Sequence, residues 1–404
     1  MRAFFVVVHR SLGLATALFL FIAGVTGAVI SWDHELDAWL NPRLYEARST
    51  SPARPALELA ARVEAADPRV QVTFLPLEAE PGHTILMSVQ PRIDASTGKP
   101  FDTGYNQVAV DPASGEIQGR RQWGRVSLSR EDLLPFLYKL HYSLHLPESG
   151  GIEWGVLFMG VVATVWVIDT LIAVWISFPS WRAWRRSFAF RWKDGGHKLT
   201  FDLHRSGALW LYPLVLVVAV TSVAMNLRNQ VVVPVVSVFS ELSPSPFASR
   251  TPAPADKPVQ PVITPAQAIA QSSAEALRRG WHKPPGGIFL STSFGVWGVG
   301  FFEPGNSHGD GGLGNAWIYI DSVTGQAAGA DVPGEGTAGD VFMQSMFPLH
   351  SGRIIGTTGR VLMTFLGLAM ATLSVTGVLI WARKRRARAV ATAQRAFGQR
   401  AIAR

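Results

Sequence analysis

Four long, nearly uncharged stretches constrain this chain more than any other feature: Ser11 to Trp32, Trp154 to Phe178, Ser206 to Met225 and Val361 to Trp381. A bilayer core about 30 Å thick takes roughly 20 apolar residues of helix to cross, with every backbone N–H and C=O bonded inside the segment. Each stretch meets that demand, so the chain reads as an integral membrane protein. Composition agrees, because 48% of the 404 residues are hydrophobic, 16% are charged and the mean hydropathy is +0.19. An ordinary soluble domain carries more charge than this. The first stretch follows Arg2 and ends in small residues (Gly24, Gly27, Ala28), as a secretory signal does. It is longer than a signal's apolar segment and has no clean A-x-A cleavage site, so it is read as a retained span.

Charge then orients the spans. The net charge is +8, and 17 of the 37 Lys and Arg lie in three short segments: the N-terminal stub, the loop from Pro179 to Arg205 and the tail after Trp381. Only Asp194 and Asp202 oppose them there. The long segments between spans are acidic by contrast. The positive-inside rule places the short segments and both termini in the cytoplasm, and the long segments outside, in a periplasm. Basic residues concentrated beside spans account for the high pI without nucleic acid. Trp181, Trp184 and Trp192 among the loop's arginines read as a helix lying on the inner leaflet.

The same features occur twice in the same order. His9-Arg10-Ser11 opens the first span and His204-Arg205-Ser206 the third. An Ala-rich helix follows Pro55 and another follows Pro265. Val108 to Gly115 and Ile318 to Gly325 each carry Asp-x-x-[Ser/Thr]-Gly, a hairpin turn in which Asp bonds nearby backbone and Gly takes positive φ. Leu140-His141 precedes the second span and Leu349-His350 the fourth. The fold class expected is therefore mainly α: a four-helix transmembrane bundle with two periplasmic α+β modules, arranged as a tandem repeat. Its expected parts are spans at 1–32, 151–178, 204–226 and 351–382, modules at 33–150 and 227–350, a basic loop at 179–203 and a basic tail at 383–404. Strands are expected at Val70 to Leu75, Thr84 to Val89, Asn106 to Asp111, Gly287 to Ser291, Val296 to Phe302 and Ala316 to Asp321. Ser243 to Pro261 reads as a linker, and Gly305 to Gly314 and Ala328 to Gly339 as mobile surface loops.

Zero cysteines exclude disulfides, thiolate-held iron–sulfur clusters, thiol catalysis and covalent haem attachment, which leaves the ten histidines as the main ligand stock. His9 and His204 stand at the cytoplasmic ends of the first and third spans. His141 (or His145) and His350 precede the second and fourth at the outer face. Two histidines thus converge at each side of one bundle, and a facing pair can clamp a haem iron from both axial sides. Zinc fits less well, since neither pair has a third histidine or a carboxylate at usual spacing. Arg10 and Arg205, next to two candidate ligands, either pair with haem propionates or anchor topology; Arg353 and Arg360 are the outer candidates for propionates. Asp33, His34 and Glu35 read as a solvated helix end. Asp169, in the middle of the second span, must face the interior or a partner, and is read as structural rather than as a proton relay.

His9-Arg10-Ser11-Leu12-Gly13-Leu14, Leu140-His141-Tyr142-Ser143-Leu144, the paired turn motifs and Pro348-Leu349-His350-Ser351-Gly352-Arg353 together resemble the PepSY-associated transmembrane family, over nearly the whole chain to about Arg386. Known members include bacterial inner-membrane reductases that hold two non-covalent b-type haems and reduce ferric siderophores at the periplasmic face. The resemblance implies that His9 and His204 hold the inner haem and His141 with His350 the outer one. Its L-H-x-x-L pattern points to His141, with His145 as the alternate.

The leading expectation is transmembrane electron transfer from a cytoplasmic or membrane donor to an external ferric siderophore or other ferric chelate, with release of iron(II). No G-x-G-x-x-G between strand and helix offers a nicotinamide or flavin site, so the donor is another protein, a quinol or a diffusible reductant. The alternative is a non-enzymatic one, in which the external modules bind a peptide, protease or envelope partner and the helices only anchor them. A haem protein serving sensing or quinone chemistry is the third reading.

Overall fold

The computed structural model describes residues 1–178 and 180–402, without the side chains of residues 181, 183 and 396–402. Within the basic loop and tail, Pro179, Arg404 and the side chains of Trp181 and Arg400 lie outside the described residues. In chain order, helix α1 (Arg2–Ile30) leads through α2 (Asp33–Leu40) and α3 (Ala56–Ala66) into strands β1 (Val70–Pro76), β2 (Ile85–Pro91), β3 (Gln107–Val110) and β4 (Ile117–Arg121). Helices α4 (Leu133–Ser143) and α5 (Trp154–Ser177) close the first half. The second half runs α6 (Gly196–Asn226), α7 (Pro265–Arg278), β5 (Pro285–Ser291), β6 (Val296–Phe301), β7 (Ala316–Asp321), β8 (Ala327–Asp331), α8 (Ala338–Ser351) and α9 (Gly356–Ile402).

Helices α1, α5, α6 and α9 are each long and apolar enough to cross a membrane, and the chain is a membrane protein. Two of them start well before their apolar stretch: α1 nine residues before Ser11, α6 ten before Ser206. Nothing breaks the helix there, and the flanking cations can extend to the interface. His9 and His204 therefore sit about two turns inside their helices, not at the mouths. The loop before α6 is a pair of short 3-10 turns, Trp181–Phe188 and Trp192–Asp194, folded back onto α6. Its anchor is Asp202, fully buried, which accepts from Arg191 Nε and Nη2, both at 2.7 Å. Helices α1 and α9 cross at Gly24 and Gly367, where a Cβ on Gly24 would come within 2.6 Å of the Gly367 carbonyl oxygen. Small residues are what let two backbones approach that closely in lipid.

The eight strands form one antiparallel sheet in the order β8-β7-β6-β5-β1-β2-β3-β4. Each half contributes a four-stranded meander, and the two meanders hydrogen bond edge to edge, Phe74 opposite Phe289 and Leu75 opposite Ile288. Pairing two edges removes two rows of open backbone groups. Period-2 alternation decides the faces. Ile85, Met87 and Val89 point with Val108, Ile288 and Val299 into a core covered by Leu59 and Val63 of α3 and Ala268 and Ala276 of α7. Leu86, Ser88 and Gln107 point the other way, toward the membrane helices across a cavity.

The two Asp-x-x-[Ser/Thr]-Gly turns close β3–β4 and β7–β8. Asp111 Oδ1 accepts from the Ala113 and Ser114 amides, and Asp321 Oδ1 from those of Val323 and Thr324. Gly115 and Gly325 take φ of 76° and 73°. Ala328 to Gly339 is not the mobile loop its glycines suggest. It begins in β8, paired with β7, and ends in α8, capped by Thr337 and Asp340. Gly305 to Gly314 has no regular structure, yet Gly311 and Gly312 donate to the carbonyls of Arg353 and Ile354.

A valine at Gly24 should wedge α1 from α9 and lower the thermal midpoint in detergent by several degrees, whereas a valine at Gly207 of α6, where an added Cβ meets nothing within 4 Å, should not. Burial raises the Asp321 carboxyl, but the Thr324 amide, the Arg250 guanidinium and the Val323 amide together hold it down at about 2. A depressed folded pKa contributes stability above the unfolded value near 4 that is lost as pH falls toward about 2. Asp321→Asn should therefore flatten the acid limb of the stability profile, read by thermal melts between pH 5 and pH 2.

Candidate functional site

Two pairs of imidazoles face each other within the bundle. His9 of α1 and His204 of α6 have ring centres 6.2 Å apart, near the basic loop. His141 of α4 and His350 of α8 have ring centres 6.1 Å apart, at the end nearest the sheet. Helices α1 and α6 carry both ends of the arrangement: 17 residues after His9 comes Thr26, which touches His141, and 17 after His204 comes Thr221, which touches His350. At 1.5 Å per residue the two levels lie about 26 Å apart along the helices.

Hydrogen bonds set which edge of each ring faces inward. His9 Nδ1 lies 2.9 Å from Asp169 Oδ1, and His204 Nδ1 lies 3.0 Å from the Leu373 carbonyl and 3.2 Å from Thr376 Oγ1. His141 Nδ1 lies 3.0 Å from Thr26 Oγ1, and His350 Nδ1 lies 3.2 Å from Thr221 Oγ1. A carboxylate and a carbonyl only accept. The threonine hydroxyls spend their protons on helix carbonyls, Thr26 on Ile22, Thr221 on Val217 and Thr376 on Thr372. Each Nδ1 is thereby assigned as the donor, so each neutral ring presents a bare Nε2 lone pair. No hydrogen bond reaches any of the four Nε2 atoms among the described residues.

Two imidazoles that bind one ion from opposite sides, each at about 2 Å through nitrogen, have ring centres about 6 Å apart. Spacing alone does not single out these pairs, since His34 and His83 have ring centres 6.4 Å apart. The fixed tautomer does: a metal-ligating His is oriented by the bond its other nitrogen makes. Glycines keep the space beside the rings. A Cβ on Gly27 would lie 3.0 Å from His141 Cε1, and one on Gly377 would lie 3.0 Å from His204 Cε1. No group of three or more His, Cys, Asp or Glu suited to a bare metal ion occurs among the described residues. Each pair thus offers two imidazole nitrogens and no third protein ligand among the described residues.

His145 is not brought to the pair. It follows the end of α4 with φ of 54°, its Nε2 donates to the Phe136 carbonyl at 2.8 Å, and its ring stacks on Phe136. Arg205 lies beside His204 with Nε buried and unpartnered, while one Nη donates to the Arg186 carbonyl at 3.1 Å. Arg10 is exposed. Arg353 and Arg360 are already engaged by carboxylates. Arg353 bonds Asp310 and lies 3.7 Å from Asp33; Arg360 donates to Glu35 at 2.6 Å and sits over the Trp32 ring. Asp33, His34 and Glu35 are therefore not a freely solvated helix end.

Those ion pairs line a cavity of about 660 Å³ between the sheet and the bundle. His34, His83 and His308 open onto it, as does Tyr138, one turn before His141 on α4. Burial and the Arg353 cation hold the His308 imidazole below its usual range. The cavity needs both halves of the chain, which is why no local motif announces it. Replacing Asp310 with Ala should free the loop that Arg353 holds, raising amide exchange at Gly311 and Gly312 several-fold while leaving the spans protected.

Residues 6–384 match the family described as PepSY-associated TM region. No curated protein matches the chain. Four membrane-crossing helices under an α+β layer, in one match that runs from the start of α1 past the last apolar turn of α9, place this chain in the PepSY-associated TM region family.

Proposed function

We propose that the protein is a di-haem b electron carrier of a bacterial inner membrane that reduces ferric siderophores on the side where the sheet lies. The observation that carries this reading is the pair of opposed imidazole sites at the two levels of one bundle, each ring tied at Nδ1 and bare at Nε2. His9 and His204 hold the inner haem, and His141 and His350 the outer one. Haem iron held by two imidazoles supplies one-electron chemistry between the ferric and ferrous states. Asp169, Thr376, Thr26 and Thr221 hold the four rings in register, and Arg205 Nε offers a buried donor for a propionate. Two sites divide a crossing of about 30 Å into stages.

The basic loop and tail put both termini in the cytoplasm by the positive-inside rule, so the sheet and its cavity are periplasmic. The cavity receives the ferric chelate on the side of the outer pair, and reduction releases iron(II), which a hard-oxygen chelator holds weakly. The recurring order of span, helix, meander and span supports reading the chain as two copies of one unit.

Purified protein should give two haems per polypeptide in a pyridine haemochrome assay. His9→Ala, His204→Ala, His141→Ala and His350→Ala should each lose one, and His145→Ala none. Dithionite-reduced protein should reoxidise when mixed anaerobically with a ferric siderophore. Colourless, folded protein would overturn the proposal in favour of a membrane-anchored module that binds a peptide, protease or envelope partner. Haem that no ferric chelate reoxidises would leave sensing or quinone chemistry.

A further inference from the structure

One of the four ring anchors differs in kind from the others. His204, His141 and His350 donate to neutral oxygens, whereas His9 donates to a carboxylate. Three spans fill the anchor position with threonine, in Val25-Thr26-Gly27, Val220-Thr221-Ser222 and Val375-Thr376-Gly377; α5 fills it with Asp169, in Val167-Ile168-Asp169-Thr170. Asp169 is 8% exposed in the middle of a membrane-crossing helix, where an ionised carboxylate is costly unless a positive charge offsets it. Neither Lys nor Arg pairs with it among the described residues. Its second oxygen faces Gly13, whose Cβ would lie 3.6 Å away. The charge that Asp169 can offset must therefore arise at the imidazole pair itself.

We infer that Asp169 is a positioning residue that lowers the reduction potential of the inner haem below that of the outer one, so that electrons run from the basic side toward the sheet. This rests on the di-haem reading. A carboxylate that accepts from Nδ1–H draws the proton toward itself and makes Nε2 a stronger donor. Iron(III) porphyrin with two neutral imidazoles carries one net positive charge, and iron(II) porphyrin carries none. Asp169 thus stabilises the oxidised form of the inner site, and a hydroxyl or carbonyl at the outer site or beside His204 supplies no such charge. One electron leaves the inner site, which is oxidised, and enters the outer site, which is reduced; the Nδ1 proton stays on His9.

Spectroelectrochemical titration of the purified full chain tests this. Wild type should show two midpoints. Asp169→Asn, which keeps an acceptor and drops the charge, should raise only the lower one and cut the inner-to-outer equilibrium constant by about tenfold or more, the scale seen when a partner of a metal-ligating His is removed. Asp169→Glu should restore the lower midpoint, and His145→Ala should change neither, because that ring is held on Phe136 away from both pairs. Two haems with unchanged midpoints in Asp169→Asn, or a shift confined to the higher midpoint, would overturn the inference. If the Asn variant loses its inner haem, EPR of the oxidised wild type decides: distinct signals, with the imidazolate-like one absent from His9→Ala, support the role of Asp169, and identical signals refute it. Protein that binds no haem would instead refute the di-haem reading.

Discussion

The structure depends on how four imidazoles are held where water is scarce. A histidine ring in an apolar bundle has one donor and one acceptor to satisfy, and an unbonded polar group there is expensive. Here the bundle satisfies Nδ1 four times from a helix other than the one carrying the histidine: α5 for His9, α9 for His204, α1 for His141 and α6 for His350. The rings are therefore fixed by helix packing, and the packing is fixed by glycines that let helices approach, as at Gly24 and Gly367. What is left without a hydrogen bond at every ring is the same atom, Nε2.

The outer layer is coupled to this bundle by charge rather than by apolar contact alone. Arg360 joins the start of α9 to Glu35 of α2 and to the Ser31 carbonyl, and Arg353 joins it to Asp310 and Asp33. Beneath the sheet, Asp37 of α2 accepts from the Tyr45 hydroxyl at 2.7 Å and pairs with buried Arg121 of β4 at 2.7 Å. Buried pairs of this kind bring little net stability but penalise any arrangement that separates them. Arg121, Arg353 and Arg360 all line the cavity, whose wall draws residues from both halves of the chain.

Much of this was legible in the sequence because membranes impose simple rules. Span number followed from apolar length, and the two turn motifs located both meanders. The histidines stood out because a cysteine-free chain has few other ligands. Their anchors did not, because a threonine in a transmembrane helix usually bonds its own backbone. Yet aligning His9-Arg10-Ser11 with His204-Arg205-Ser206 and reading on 17 residues reaches Thr26 and Thr221, so the signal was present. Asp169 stood out as a buried charge, but its partner His9 is 160 residues away and no local pattern joins them. The left-handed residues Leu144 and His145, which end α4 and swing the His145 ring onto Phe136, have no signal in the spacing of the two histidines. The edge pairing of β1 with β5 and the cavity depend on contacts between halves, which periodicity within either half does not encode.

The central claim is that the two facing pairs grip a macrocycle-bound iron at each level of the bundle. An experimental density map of the full-length protein, purified without added cofactor and resolved well enough to see ring orientation, tests it most directly. The account predicts flat, porphyrin-sized density bridging the Nε2 atoms of His9 and His204 and, separately, those of His141 and His350. Rings in direct contact, or bridged only by water, at both levels would contradict it.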